Sequence, residues 1–195
     1  MEILYSDKDI AVCIKPVGVD AETGMPAALG EALDGDFFCV HRLDRNVGGV
    51  MVFARHKAAA ARLSALIQSG DMVKEYVALV HGTPPESGDW EDLLFKDSSR
   101  NKVFVVTRER KGVKRARLEF KRLSAGESSL VRIRLHTGRS HQIRVQFASR
   151  GCPLLGDHKY GARDERTEPM LFSCCLRFPW KDGARCYEYL PAWAK

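Results

Sequence analysis

Asp44 stands between Arg42 and Arg45, with His41 close by, in the stretch HRLDRNVGG that joins the apolar runs FFCV and VMVF. A hairpin turn needs only Asn and Gly, which NVGG supplies. The charges ahead of it therefore ask for a separate account. One account is a surface ion pair on a loop, a weak interaction. The other is a carboxylate held ionised in a cleft by guanidinium groups. An opposite charge within a few ångström lowers a carboxyl pKa by roughly one to three units and offsets the rise from desolvation. Such a carboxylate serves as nucleophile or base at neutral pH without a metal.

A second cluster, Arg139, His141 and Arg144, lies in TGRSHQIRVQF. It is either the basic surface of an amphipathic helix or a fixed guanidinium whose planar fork pairs a partly buried carboxylate. Tyr76, inside KEYVALV, is a third candidate, although a tyrosine within a strand is more often core than catalyst.

The elements that must position these residues follow from hydropathy period. EILYSDKDIAVCIKPVG reads as two short strands and a Pro/Gly loop, and PAALGEAL as a short helix. KAAAARLSALIQSG is a stronger helix, with Ala59, Leu63, Leu66 and Ile67 on one face and Gly70 where a C-terminal cap belongs. VKEYVALVHG is a strand that ends in the turn-rich GTPPESGD. The Pro/Gly segment at 82–88 is a candidate lobe boundary, but the length suits one domain over 1–195. NKVFVVTRERKGVKRARLEFKRL reads as a β-hairpin with a basic tip, and LVRIRLHTG as another strand of period two. The period then changes: Ile143 and Phe147 are four apart, Ser140 is placed to cap a short helix and Gly151 to close it. MLFSCCLRF and RCYEYL return to strands. Strands outnumber helices, which predicts an α+β fold with a mixed, largely antiparallel central sheet flanked by short helices and loops.

Lys and Arg number 31 against 25 Asp and Glu, a net charge of +6 that favours a polyanionic partner. Cys13, Cys39, Cys152, Cys174, Cys175 and Cys186 form no CxxC pair, and several sit in apolar contexts, which suits a reducing, cytoplasmic compartment. No apolar run approaches the ~18 residues of a membrane span, and the alternating charge of MEILYSDKDI leads to the expectation of no signal peptide. Neither histidines nor cysteines show zinc-type spacing, so no metal site is expected.

HRLDRNVGG, KEYVALVHG and TGRSHQIRV, in that order and at these separations, resemble the RluA-type pseudouridine synthase family. The opening ILYSDKDIAVCIKPVGV is similar to that family's first motif and GCPLLGDHKYG to its segment after the third, so the resemblance runs from about residue 2 to residue 178. HRLD with GRSHQIR is a highly specific combination. The resemblance implies the pseudouridine synthase fold and isomerisation of uridine in rRNA or tRNA, without cofactor or metal. It implies Asp44 as the catalytic carboxylate, Tyr76 as the tyrosine packed on the target base and candidate base for the ring proton, and Arg144 as the partner of the aspartate. Arg42 matches the arginine that fills the space left by a flipped nucleotide. Arg45, Arg139, His141 and Lys15 join it as expected RNA-binding residues, and the basic strands KRARLEFKR and VRIRLH are read either as phosphate contacts or as a solvated sheet face. A monomer without a small N-terminal RNA-binding domain is expected. Departures from the family pattern are Asn46, Val47 and Gly48 after Arg45, Ile14 where Asn is usual, and LFSCC after Met170; they bear on target choice and loop conformation.

Two other readings stay open. A glycosidase or ribosyltransferase using Asp44 as nucleophile needs a second carboxylate roughly 5–5.5 Å away if it retains configuration, and Glu75 and Asp157 are the candidates near the motifs. An RNA-binding module without catalysis is the third reading.

Overall fold

The computed structural model describes residues 1–181 and 183–195. In chain order the elements are β1 (Glu2–Ser6), β2 (Ile10–Lys15), α1 (Gly24–Leu33), β3 (Phe38–Cys39), β4 (Gly48–Ala54), α2 (Lys57–Ser69) and β5 (Val73–His81). There follow β6 (Ser87–Asp97), β7 (Lys102–Val106), β8 (Val113–Arg122), β9 (Ser128–Leu135), α3 (Gln142–Ala148), a 3-10 turn at His158–Tyr160, β10 (Leu171–Trp180) and β11 (Gly183–Glu188). The expected α+β class with largely antiparallel strands is what the chain adopts. None of the described helices is long and apolar enough to cross a membrane.

The chain divides into two compact units. The first comprises Met1–Lys74 and Phe172–Trp193 with Lys195, and the second comprises Glu75–Leu171 with Ala194. The division falls at the start of β5 and of β10, not within 82–88.

In the first unit β4 pairs antiparallel with β2 and β3 and parallel with β10, while β1 and β11 extend the sheet as antiparallel neighbours of β2 and β10. All seven residues of β4 are buried, which explains why its sequence is an unbroken apolar run instead of an alternating one. Helix α2 lays Ala59 and Leu63 onto a core built from Ile10, Val12, Val50, Val52, Phe178 and Trp180. Its ends are set locally. The His56 ring accepts the Ala59 N–H at its start. Gly70, at φ 83°, closes it in the left-handed conformation that a residue without Cβ adopts at little cost.

In the second unit the strand order is β5-β9-β8-β6-β7. The expected hairpin of residues 101–123 does not form, because β6 lies between β7 and β8 and pairs antiparallel with both. The first half of β6 alternates in Asp, Glu and Trp, a pattern that hydropathy period does not register as a strand. The period-two reading of β8 holds: Ala116, Leu118 and Phe120 are buried, and Val131 and Ile133 of β9 match them. Helix α3 buries Ile143 and Phe147 as its spacing requires. Its N-cap is His141 rather than Ser140, however, and no side chain caps it.

Candidate active site

In the first unit, Asp44 belongs to a tight turn that leads into β4, closed by the Val47 N–H donating to the Asp44 carbonyl at 2.9 Å. The loop leaving β2 lies alongside, because Lys15 at the end of β2 is in register with Gly49 at the start of β4. Two cations staple these loops together. Arg45 Nε donates to the Gly18 carbonyl at 2.8 Å, and the Arg45 carbonyl accepts the Gly18 N–H at 2.9 Å. Lys15 Nζ donates to the carbonyls of Pro16, Val19 and Arg45 at 2.9, 2.8 and 3.1 Å.

Lys15 is 0% exposed. The expectation that it binds RNA is therefore corrected: its three ammonium protons are spent on backbone carbonyls, and it scaffolds the Asp44 turn. Desolvation lowers its pKa to about 8, while the nearby carboxylates of Asp20 and Asp44 oppose the fall. His41 is also structural. Its Nε2 accepts the Val52 N–H at 3.2 Å, which requires that nitrogen to be unprotonated. Desolvation, with Lys74 as a second cause, lowers the ring's pKa to about 3. Arg42 reaches outward to Glu22 at 2.7 Å, with the two side chains 61% and 53% exposed. An ion pair so solvated is readily exchanged for another anion.

In the second unit, Tyr76 lies on β5 and is 7% exposed. Arg144, on α3, donates from Nε to Asp157 Oδ2 at 2.7 Å and from Nη2 to Asp157 Oδ1 at 2.8 Å. This side-on fork is nearly dry, the side chains being 9% and 0% exposed. The Arg144 guanidinium lies 5.2 Å from the centre of the Tyr160 ring. The Tyr160 hydroxyl accepts the Val103 N–H at 2.9 Å and is hydrogen-bonded to His141 Nδ1 at 2.8 Å. The turn before α3 is built by Gln142, whose Oε1 accepts from Thr137 Oγ1 and the Arg139 N–H, and whose Nε2 donates to the Arg117 carbonyl. Arg139 Nε in turn donates to the Arg115 carbonyl at 2.9 Å.

Asp157, Tyr160 and Gln142 are absent from the set of site residues read from the sequence. The signal available for two of them was GDHKYG, which puts a carboxylate and a phenol three residues apart, one turn of a 3-10 helix. Glu75 and Asp157, the candidates for a second acid, both accept from arginines, Glu75 from Arg132 Nε at 2.7 Å. Within the basic strands read either as phosphate contacts or as a solvated sheet face, Arg115 and Arg117 carry counter-ions. Arg117 forks onto Asp89 and reaches Glu119, and Arg115 reaches Glu91 and Glu109. These pairs form a cross-strand charge ladder.

Burial raises the thiol pKa of Cys13 to about 12 and that of Cys39 to about 11, so neither is a nucleophile at neutral pH. Among the described residues no group of three or more His, Cys, Asp or Glu is placed to hold a metal ion.

Residues 10–149 match the family model described as RNA pseudouridylate synthase, a span that includes Asp44, Tyr76 and Arg144. The chain is 32% identical over 189 residues to an uncharacterized RNA pseudouridine synthase of Aquifex aeolicus, covering 89% of this chain and 60% of the relative. It is 33% identical over 178 residues to the ribosomal large subunit pseudouridine synthase D of Vibrio cholerae, covering 84% and 53%. The chain thus spans little more than half the length of these curated relatives. Its fold is that of human RNA pseudouridylate synthase domain containing 4, with TM-score 0.83, 24% identity and coverage of 99% of this chain and 90% of that one.

Proposed function

The chain belongs to the RNA pseudouridylate synthase family, and from that premise we propose that it converts a uridine in structured RNA to pseudouridine with Asp44 as its catalytic carboxylate. The observation that carries this reading is the stapled turn. The turn that carries the carboxylate is held at the adjacent Arg45 carbonyl by Lys15 and the Gly18 N–H, and by the Arg45 side chain on the Gly18 carbonyl, as a group that must meet one ribose carbon requires.

The reaction is an isomerisation. The bond from ribose C1′ to uracil N1 breaks, the ring turns, a bond from C1′ to C5 forms, the C5 proton leaves and N1 gains one. Asp44 stabilises or traps the electron-poor ribose centre. Arg144 contributes positive charge to the reaction, and Tyr76 stacks on the uracil and takes the C5 proton. The target nucleotide is flipped out of its stack at a cost of a few kcal/mol, with Arg42 released from Glu22 to fill its place. Stacking on Tyr76 returns roughly 1–3 kcal/mol. No cofactor or metal enters these steps. Relatives named for the large ribosomal subunit support rRNA as the substrate, with tRNA as the alternative, and the protein acts as a cytoplasmic monomer.

A glycosidase is disfavoured because the oxygens of Glu75 and Asp157 accept hydrogen bonds from guanidinium groups, a geometry that offers no proton to a leaving group. The test uses RNA labelled with tritium at uracil C5. Wild type releases tritium into water with RNA mass otherwise unchanged, and Asp44→Asn releases none. Liberation of free uracil identifies the glycosidase instead, and RNA binding without either product identifies a non-catalytic module.

A further inference from the structure

Two short turns in the second unit clasp each other through residues three apart. Helix α3 and its N-cap present Arg144 and His141, and the 3-10 turn and its N-cap present Tyr160 and Asp157. Arg144 meets Asp157 through two hydrogen bonds, and His141 meets the Tyr160 hydroxyl through one. The Tyr160 ring lies against the Arg144 guanidinium, and its hydroxyl is itself anchored by the Val103 N–H. We propose that Asp157, backed by Tyr160, is the positioning residue for Arg144, fixing the plane and direction of its guanidinium for the reaction proposed above.

Three features favour positioning over simple stability. A dry ion pair gains little net stability, since desolvation of both partners cancels most of the attraction. The side-on fork engages Nε and Nη2 together, which removes rotation about the last side-chain bond and commits one edge of the guanidinium to Asp157. His141 adopts a left-handed backbone at φ 50°, uncommon for a residue other than glycine, and its ring is held by Tyr160 in that conformation. Strain of this kind at the entry to α3 sets where Arg144 emerges. Asp157 is 0% exposed at its side chain and both its oxygens are bound, so it touches no substrate and acts only through Arg144.

The inference rests on the proposed role of Arg144, and the experiment separates the two. Single-turnover rates and RNA affinities are measured, per folded molecule, for wild type, Asp157→Asn, Tyr160→Phe, Arg144→Lys and the double variant Asp157→Asn/Arg144→Lys. Asp157→Asn presents an amide N–H toward a donor, and a guanidinium displaced by ~1 Å is expected to slow turnover on the order of 100-fold with RNA Kd changed less than about threefold. Tyr160→Phe, which keeps the ring and the fork, is expected to slow turnover several-fold in its folded fraction through the lost His141 and Val103 bonds. The double variant is expected to be no slower than Arg144→Lys, because the two residues act as one unit. A merely structural pair gives wild-type turnover in the folded fraction of Asp157→Asn and in Tyr160→Phe, or fully additive losses in the double variant; either overturns the proposal. If Arg144→Lys itself turns over at the wild-type rate, it is the role given to Arg144 that fails.

Discussion

Gly49 is the second residue of β4, and replacing it with alanine is the most severe single-atom test of the frame that carries Asp44. Its φ is +134°, and a Cβ built there lies 2.4 Å from the Ser173 carbonyl oxygen, 2.5 Å from the Ser173 nitrogen and 2.6 Å from the Ser173 Cβ. All three distances fall below 3.0 Å, which Cβ atoms essentially never show, and two of the atoms are backbone that cannot rotate away. Gly49 pairs with Ser173 on β10 and with Lys15 on β2, so relief requires the strands to part where the Asp44 turn is stapled. A residue with Cβ in a left-handed backbone costs ~1–2 kcal/mol, forced overpacking ~1–3 kcal/mol, and each lost strand hydrogen bond ~1 kcal/mol. The total, ~3–5 kcal/mol, is a large share of the ~5–15 kcal/mol that holds a domain together. Gly70 is the control: its φ is +83°, yet nothing lies within 4 Å of a Cβ there, so Gly70→Ala costs only the backbone part, ~1 kcal/mol. In urea unfolding with a slope near ~2 kcal/mol per molar, Gly49→Ala lowers the midpoint by ~1.5–2.5 M and Gly70→Ala by ~0.5 M. Equal shifts for the two variants would refute the close approach of β4 to β10.

Other outcomes follow from the same geometry. His41 has a folded pKa of about 3, below the unfolded value near 6.5. Its contribution to stability is therefore complete above pH ~6.5 and is lost as pH falls toward 3, by up to ~1.4 kcal/mol per unit. His41→Gln keeps an acceptor for the Val52 N–H and removes the titration, so its stability falls less steeply than wild type between pH 6 and 4; an unchanged slope rejects the assignment. Lys15→Met orphans three carbonyl acceptors and lowers stability by ~2 kcal/mol. It leaves the dependence of RNA affinity on salt unchanged, whereas a residue on a phosphate reduces that slope by about one. Arg117→Gln likewise leaves the salt slope unchanged, because its fork already holds Asp89; a slope reduced by about one places Arg117 on the RNA backbone.

Much of the frame was legible because it is written locally. The unbroken apolar run of β4, the one-sided pattern of α2 with Gly70 behind it, and the alternation of Ala116, Leu118 and Phe120 each declare burial within a few residues. Asp44 and Arg144 stand out in the sequence by the charged residues that flank them, whereas the roles expected of them and of Tyr76 come from the family resemblance. What escaped is nonlocal. The strand character of β6 depends on Asp89 and Glu91 meeting arginines of β8 more than twenty positions away. The charge of Lys15 reads as surface, because nothing near it announces that the Arg45 carbonyl arrives from 30 residues downstream. Asp157 was weighed only as a second acid, since its partner lies 13 residues back on a helix that sequence alone does not orient against it. The expected hairpin of 101–123 fails for the same reason: β7 and β8 follow each other in sequence but do not pair, because β6 fills the place between.

The most direct measurement of the central claim is a carbodiimide map of pseudouridines in total RNA from cells with and without the gene, complemented by wild type or by Asp44→Ala. One site is expected to vanish on deletion, to return with wild type and to stay absent with Asp44→Ala despite normal protein levels. A map unaltered by deletion, or a site restored by Asp44→Ala, contradicts it.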